Sequence, residues 1–142
     1  MAGVNFTRQC SLSSVHMEDI RNIPTRTAKL AAELIQFFMD ASKEAASLST
    51  ASLHDACAAA WLICPELVTA APMHITVELK GEYTRGMTVC DYRHLRCDVP
   101  DVDVSTLAMM PFRGQKPNAE GALRLYFQGF LDLLHETLQS CP

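Results

Sequence analysis

A histidine and an aspartate stand side by side just before an apolar segment, in the run Leu53-His54-Asp55-Ala56-Cys57. Histidine is the side-chain type that can give and take a proton near neutral pH, so His54 could serve as a general acid or base. The carboxylate of Asp55 could bind a cation, or it could accept hydrogen bonds from the free N–H groups at a helix start. From these residues alone, the simpler interpretation is that Asp55 is an N-cap and that His54 is a loop histidine without a role.

The other histidines and the cysteines do not have the spacing of a metal site. His16, His74, His94 and His135 are far apart and form no H-x-x-x-H pattern. The six cysteines include no C-x-x-C pair, which argues against zinc binding and against redox chemistry. We therefore expect these histidines to be structural and the thiols to be ordinary reduced cysteines.

Composition limits the class of protein. A chain of 142 residues with 49% hydrophobic and 20% charged residues is typical of one globular domain. The net charge of −4 is mild and the basic residues are scattered, so we expect no nucleic-acid partner. No segment approaches the roughly 20 apolar residues that span a bilayer, and the first residues contain no apolar run of signal-peptide length. These features predict a cytoplasmic protein with no membrane partner.

The most regular element is a long amphipathic helix upstream of His54. Pro24 ends the preceding segment, Thr25 can cap the helix, and the helical pattern covers Arg26–Ala46. Large apolar residues recur along it at three- and four-residue intervals, which predicts that their face packs inward. These residues are Leu30, Leu34, Phe37, Phe38 and Ala41.

The remaining elements are shorter. Further helices are predicted at Val15–Arg21 with Ser14 as cap, at Ala56–Cys64 ending before Pro65, and at Gln128–Leu138 with an apolar stripe. Strands are predicted at Gly3–Gln9, Met73–Leu79, Met87–Asp91 and Ala122–Tyr126. Residues Ser47–Ser52 are predicted to form a loop, and prolines make Asp98–Asn118 irregular.

This mixture of helices and strands predicts an α/β fold. A doubly wound sheet needs several central strands with helices on both faces, and the chain offers few of them. The elements therefore resemble a portion of a larger fold.

Three segments together resemble the inosine-uridine nucleoside hydrolase family in order and spacing. They are Leu53-His54-Asp55 with the helix end Leu62-Ile63-Cys64-Pro65, then Val77–Gly81, then Thr84–Asp91. The similarity extends upstream to Gly3–Gln9 and downstream into the last strand and helix, so it covers nearly the whole chain. The resemblance implies the C-terminal portion of a Rossmann-like nucleoside hydrolase fold that lacks most of the central parallel sheet. Residues 1–142 would then be a single partial domain.

The resemblance also implies a chemistry. Members of this family hydrolyse the N-ribosidic bond of purine and pyrimidine ribonucleosides with a calcium ion held in an Asp-rich loop. By resemblance, His54 matches the general acid that protonates the departing base, and Asp55 matches one calcium ligand. The residues that would bind the substrate are not assigned, and neither is a preference for purine or pyrimidine.

The sequence departs from the family at the calcium site. It contains no D-x-D-P-G-x-D-D type loop, and one carboxylate cannot hold calcium, which takes six to eight oxygen ligands. We therefore expect the chain to be truncated and inactive by itself, with the biological start undecided. The alternative is a non-catalytic remnant that acts as an oligomerising interaction module through an exposed sheet edge. A homo-oligomer is compatible with either hypothesis, and the sequence leaves the oligomeric state open.

Overall fold

A computed structural model of the chain describes residues 1–47, 49–91 and 115–142. Within these ranges the helices are α1 (Val4–Thr7), α2 (Ser14–Arg21), α3 (Arg26–Ala46), α4 (His54–Ile63) and α5 (Phe127–Ser140), with a 3₁₀ helix at Pro65–Leu67. The strands are β1 (Ser11–Leu12), β2 (Ala51–Ser52), β3 (Val68–Val77), β4 (Thr88–Asp91) and β5 (Ala119–Leu125). Most of the segment predicted to be irregular, residues 98–114 of Asp98–Asn118, lies outside the described residues. The predicted α/β class is confirmed.

The chain divides into two compact units. The first consists of Met1 and Ala70–Leu123, and its strands lie in the order β4-β3-β5. Strands β3 and β4 are antiparallel, with His74 opposite Asp91. The strand predicted at Met87–Asp91 is confirmed as β4 to within one residue at its start. The preceding strand begins five residues earlier than predicted and ends at Val77, so Leu79 lies beyond it and is exposed.

The second unit consists of Ala2–Thr69 and Arg124–Pro142, and it contains all five described α-helices. Its two short strands β1 and β2 are antiparallel, and the hydroxyls of Ser11 and Ser52 lie 2.7 Å apart across the pair. Strand β2 therefore occupies the end of the segment predicted to be a loop. The helix α2 begins one residue before its predicted start, with Ser13 as N-cap. None of the described helices is both long enough and apolar enough to cross a membrane.

The segment Gly3–Gln9, predicted to be a strand, contains the helix α1 instead. The backbone N–H of Thr7 donates to the carbonyl of Gly3 at 3.0 Å, and that of Arg8 donates to Val4 at 3.0 Å. Phe6 is fully buried, and its ring centroid lies 6.3 Å from that of Trp61 on α4. Tertiary packing of one aromatic side chain therefore outweighs the weak strand pattern of this short segment.

The bounds and the cap of α3 are as predicted, but its predicted inward face is wrong. Thr25 is the N-cap, and its hydroxyl accepts from the N–H of Ala28 at 3.2 Å. Leu34 and Phe37 are 61% and 74% exposed, and Leu30 and Phe38 are exposed as well. The buried face is a second stripe with the same spacing, made of Ala28, Ala32, Ile35 and Met39. Periodicity alone could not choose between two stripes on one helix, and the tertiary contacts of the helix bury the second one.

The last helix follows its predicted pattern. Helix α5 buries Phe130, Leu131 and Leu138, and Leu134 is half-buried, so these four residues form the apolar stripe expected from the sequence. Its start is also tied to the 3₁₀ helix, since the N–H of Tyr126 donates to the carbonyl of Leu67 at 2.8 Å.

Two thiols lie in the core of the second unit, called the helical unit below because it contains the described α-helices. Cys10 and Cys57 are both free and fully buried, and their side chains are hydrogen-bonded to each other. Burial raises the pKa of the Cys10 thiol far above the ordinary value of 9.0, and the neighbouring Cys57 raises it further. Burial also raises the pKa of Cys57. Both thiols therefore stay protonated in the folded protein at neutral pH.

Because the Cys10 thiol is buried and protonated, we expect the folded protein to lose stability at alkaline pH. Above the ordinary thiol pKa of 9.0, the unfolded chain loses the Cys10 proton while the folded chain keeps it. The free energy of unfolding should then fall by about 1.4 kcal/mol per pH unit for this thiol. Urea unfolding at a series of pH values would measure the slope, and Cys10→Ala should reduce it while Cys141→Ala leaves it unchanged. Equal slopes in all three proteins would contradict the assignment.

Candidate active site

An open cleft of about 290 Å³ lies within the helical unit, between the short helix α1 and the start of α4. Its walls combine apolar, hydroxyl, cationic, imidazole and carboxylate groups. The lining residues are Ala2, Val4, Thr7, Arg8, His54, Asp55 and Ala58. The structure thus places both site residues predicted from the sequence, His54 and Asp55, in one cleft.

Both residues lie in the first turn of α4, which begins two residues earlier than predicted. His54 is the first residue of the helix and Asp55 the second, and both side chains are exposed. Leu53 occupies the N-cap position, so the interpretation of Asp55 as the N-cap is wrong. A carboxylate in the first turn still interacts favourably with the positive end of the helix dipole. The N–H of Leu53 donates to the carbonyl of Cys10 at 2.9 Å, which fixes where the helix starts.

The carboxylate of Asp55 has no hydrogen-bond or ion-pair partner in the ranges that the structure covers. Because the N-cap position is occupied by Leu53 and no side chain makes a capping hydrogen bond there, neither carboxylate oxygen is engaged in a hydrogen bond at the helix start. Both oxygens therefore remain available to a ligand in the cleft, as a cation-binding role requires.

Thr7 contacts His54, and sequence reasoning missed it. Its hydroxyl Oγ1 lies 2.7 Å from Nδ1 of His54, although the two residues are 47 positions apart. Thr7 is on α1, which was predicted to be a strand end, and no spacing rule connects it to α4. Tertiary contacts, among them the packing of Phe6 against Trp61, bring this hydroxyl to the imidazole.

The described residues do not complete a metal site. Among residues 1–47, 49–91 and 115–142, no group of three or more His, Cys, Asp and Glu side chains could hold a metal ion. Among the described residues that line the cleft, Asp55 is the single carboxylate, whereas calcium takes six to eight oxygen ligands. The described residues of the cleft therefore offer one carboxylate and one imidazole, and this set does not fit a calcium ion unaided.

The chain is similar to proteins of known function. The family model described as inosine-uridine preferring nucleoside hydrolase matches residues 1–131. The pyrimidine-specific ribonucleoside hydrolase RihA of Salmonella gallinarum is 38% identical over 140 residues, covering 98% of this chain and 40% of the relative. The RihA of Salmonella typhimurium is 37% identical with the same coverage. The chain thus spans about two-fifths of the length of the curated relatives it matches.

Solved structures give the same result for the fold. A plant nucleoside hydrolase, PpNRh1, superposes with a TM-score of 0.73 at 22% identity, covering 97% of this chain and 40% of that one. A purine-preferring ribonucleoside hydrolase from Gardnerella vaginalis gives a TM-score of 0.71 at 24% identity, covering 98% and 39%. The predicted fold, the C-terminal portion of the nucleoside hydrolase architecture, is confirmed.

Proposed function

The chain belongs to the inosine-uridine preferring nucleoside hydrolase family, and from that premise we propose that it contributes part of an active site for N-ribosidic bond hydrolysis. Its substrates would be purine or pyrimidine ribonucleosides. His54 is the general acid, and Asp55 is one ligand of a calcium ion. The observation that supports this most is the placement of both residues, consecutive in sequence, on the cleft-lining first turn of α4.

His54 suits proton transfer because of its position. One ring nitrogen, Nδ1, lies against Thr7, and the side chain is exposed in the cleft, so Nε2 can reach a bound substrate. When an N-ribosidic bond breaks, negative charge moves onto the departing base. A positioned acid that protonates that base lowers the barrier and typically raises the rate by about 10²–10⁴-fold.

Asp55 suits a role as one ligand of a larger site. Its carboxylate is exposed and has no partner in the described ranges. Membership of the family implies a metal cofactor, and oxygen ligands such as carboxylates are those that calcium prefers. The remaining ligands would have to come from outside the described residues. We therefore propose that residues 1–142 act as a single partial domain, without turnover of their own.

The free cysteines support a cytoplasmic location. Five described cysteines have free thiols, namely Cys10, Cys57, Cys64, Cys90 and Cys141. Unpaired cysteines at this density are typical of reducing compartments, where disulfides are rare. The proposed partner in that compartment is the ribonucleoside substrate.

A chimera tests the proposal. The part of Salmonella RihA that aligns with this chain would be replaced by the chain itself, and release of reducing ribose from uridine and inosine would be followed with calcium and with a chelator. We expect turnover by the chimera with calcium, none with chelator, and none by the 142-residue chain alone in either condition. In the chimera, Asp55→Asn should weaken calcium binding at least about tenfold, as loss of a ligand charge would require.

The matched control is Asp19→Asn, which removes an exposed carboxylate from α2, away from the cleft. Calcium titrations by calorimetry should not distinguish this variant from the parent chimera. Turnover that survives the chelator, or equal calcium affinities for the two aspartate variants, would contradict the role of Asp55. Turnover by the chain alone would contradict the proposal of a partial site.

A second candidate is the non-catalytic oligomerising module, and one observation favours it. Helix α3 presents Leu30, Leu34 and Phe37 to solvent, and a contiguous exposed apolar face often marks an interaction site. A chain that self-associates in sedimentation experiments, together with a folded chimera that has no activity, would favour this candidate over the first.

A further inference from the structure

The imidazole of His54 has a partner on the side away from its proposed substrate. We propose that Thr7 is a positioning residue that keeps the proton of the neutral His54 ring on Nδ1, so that Nε2 is the nitrogen that transfers protons. The contact that carries this inference is the 2.7 Å distance between Thr7 Oγ1 and His54 Nδ1. The inference rests on the proposed role of His54 as the acid.

The contact is held by buried structure rather than by two surface side chains. Thr7 is only 5% exposed, whereas His54 is exposed. The N–H of Thr7 donates to Gly3 at 3.0 Å, and its carbonyl accepts from Cys10 at 3.1 Å, so the backbone of α1 is fixed on both sides of the hydroxyl. Phe6, adjacent to Thr7, anchors α1 against Trp61 of α4. The backbone that carries the hydroxyl is therefore held in place beside the ring.

A backbone hydrogen bond also connects the segment that follows α1 to the residue before α4. The carbonyl of Cys10, three residues after Thr7, accepts from the N–H of Leu53, the residue directly before His54. The Cys10 and Cys57 side chains also contact each other beneath this bond. The segment that follows Thr7 and the residue before His54 are thus joined by a backbone hydrogen bond, which keeps the two segments side by side.

The chemistry of a hydroxyl matches what an acid of this kind needs. In the imidazolium form both ring nitrogens carry protons, and Nδ1–H can donate to Thr7 Oγ1. During hydrolysis the electron pair of the breaking N-ribosidic bond leaves with the base, and the Nε2 proton moves onto that base. Water adds its hydroxyl to the ribose carbon and releases a proton to solvent. The ring left behind is the Nδ1–H tautomer, so the bond to Thr7 is the same before and after the transfer.

Without that acceptor the ring would behave differently. The tautomer of a neutral histidine is set by the hydrogen bond that its other nitrogen makes, and an unpartnered imidazole in water favours the Nε2–H form. In that form the lone pair lies on Nδ1, which faces α1, and Nε2 cannot take up a proton from solvent. A neutral hydroxyl also attracts the Nδ1 proton of the imidazolium less strongly than a carboxylate partner would.

The test uses the 142-residue chain itself, labelled with nitrogen-15. Long-range proton–nitrogen spectra at a pH where His54 is neutral report which ring nitrogen carries the proton. The wild-type chain is expected to show the Nδ1–H form at His54. Thr7→Val keeps the shape of the side chain and removes the hydroxyl, so its spectrum should move toward the Nε2–H form. Thr7→Ser restores the hydroxyl and should restore the wild-type pattern.

Two results of this experiment would overturn the proposed role of Thr7. An Nε2–H form at His54 in the wild-type chain overturns the proposal, whether or not any variant folds. A folded Thr7→Val chain with an unchanged Nδ1–H form overturns it as well, because another group would then hold the proton. The proposed function fails separately: if the tautomer is as expected but His54→Ala does not slow the chimera, Thr7 positions a histidine that is not the acid.

Discussion

Replacing His54 by alanine in the RihA chimera is expected to lower kcat for uridine by about 10²–10⁴-fold, the usual contribution of a positioned acid. His54 lines the cleft with Nδ1 held by Thr7, so its loss leaves the departing base to accept its proton from water. KM should change little, since the acid acts mainly in the transition state. Ribose release at saturating uridine would measure the effect.

The leaving group provides the sharper control. A riboside that releases p-nitrophenolate needs no protonation of the departing group, so His54→Ala should slow its hydrolysis far less than that of uridine. His74→Ala, on strand β3 outside the cleft, should leave both rates nearly unchanged. If His54→Ala slowed both substrates equally, His54 would contribute to binding or folding and not to acid catalysis.

Replacing Phe6 by alanine is expected to lower the free energy of unfolding by about 3–5 kcal/mol, the range for removing a buried aromatic side chain. Phe6 is 0% exposed, and its ring lies against Trp61 with centroids 6.3 Å apart. The substitution removes apolar burial and leaves a cavity between α1 and α4. Urea unfolding followed by circular dichroism would measure the loss.

The matched control removes an identical side chain from the surface. Phe37 is 74% exposed on α3, and Phe37→Ala should change the free energy of unfolding by no more than about 0.5 kcal/mol. If Phe6→Ala abolished the cooperative transition, Phe6→Leu would give the same comparison with a smaller loss. Equal effects at Phe6 and Phe37 would mean that the outer face of α3 is as important to the core as α1.

The two sets of experiments also separate stability from chemistry. Loss of Phe6 should disturb Thr7 and therefore His54, since α1 is docked through that ring. Phe6→Ala would then affect both unfolding and catalysis, whereas His54→Ala removes an exposed side chain and should affect catalysis alone.

The sequence alone determined those features that depend on residues close together in the chain. Thr25 before an amphipathic run sets the start of α3, because a cap is recognised by its own neighbours. The stripe of α5 follows from a single apolar face with no competitor. The family was recognisable from the order of short segments, and that resemblance marked His54 and Asp55 as candidate site residues.

Tertiary structure alone decided which surfaces meet. Helix α3 carries two apolar stripes of equal period, and only its tertiary contacts, which include α2, β2 and α5, decide that the one with Ala28 and Ala32 is buried. The four residues of α1 carry too little local preference to specify a helix until Phe6 packs against Trp61. The pairing of Thr7 with His54 depends on that packing, because residues 47 positions apart become neighbours only when their elements dock.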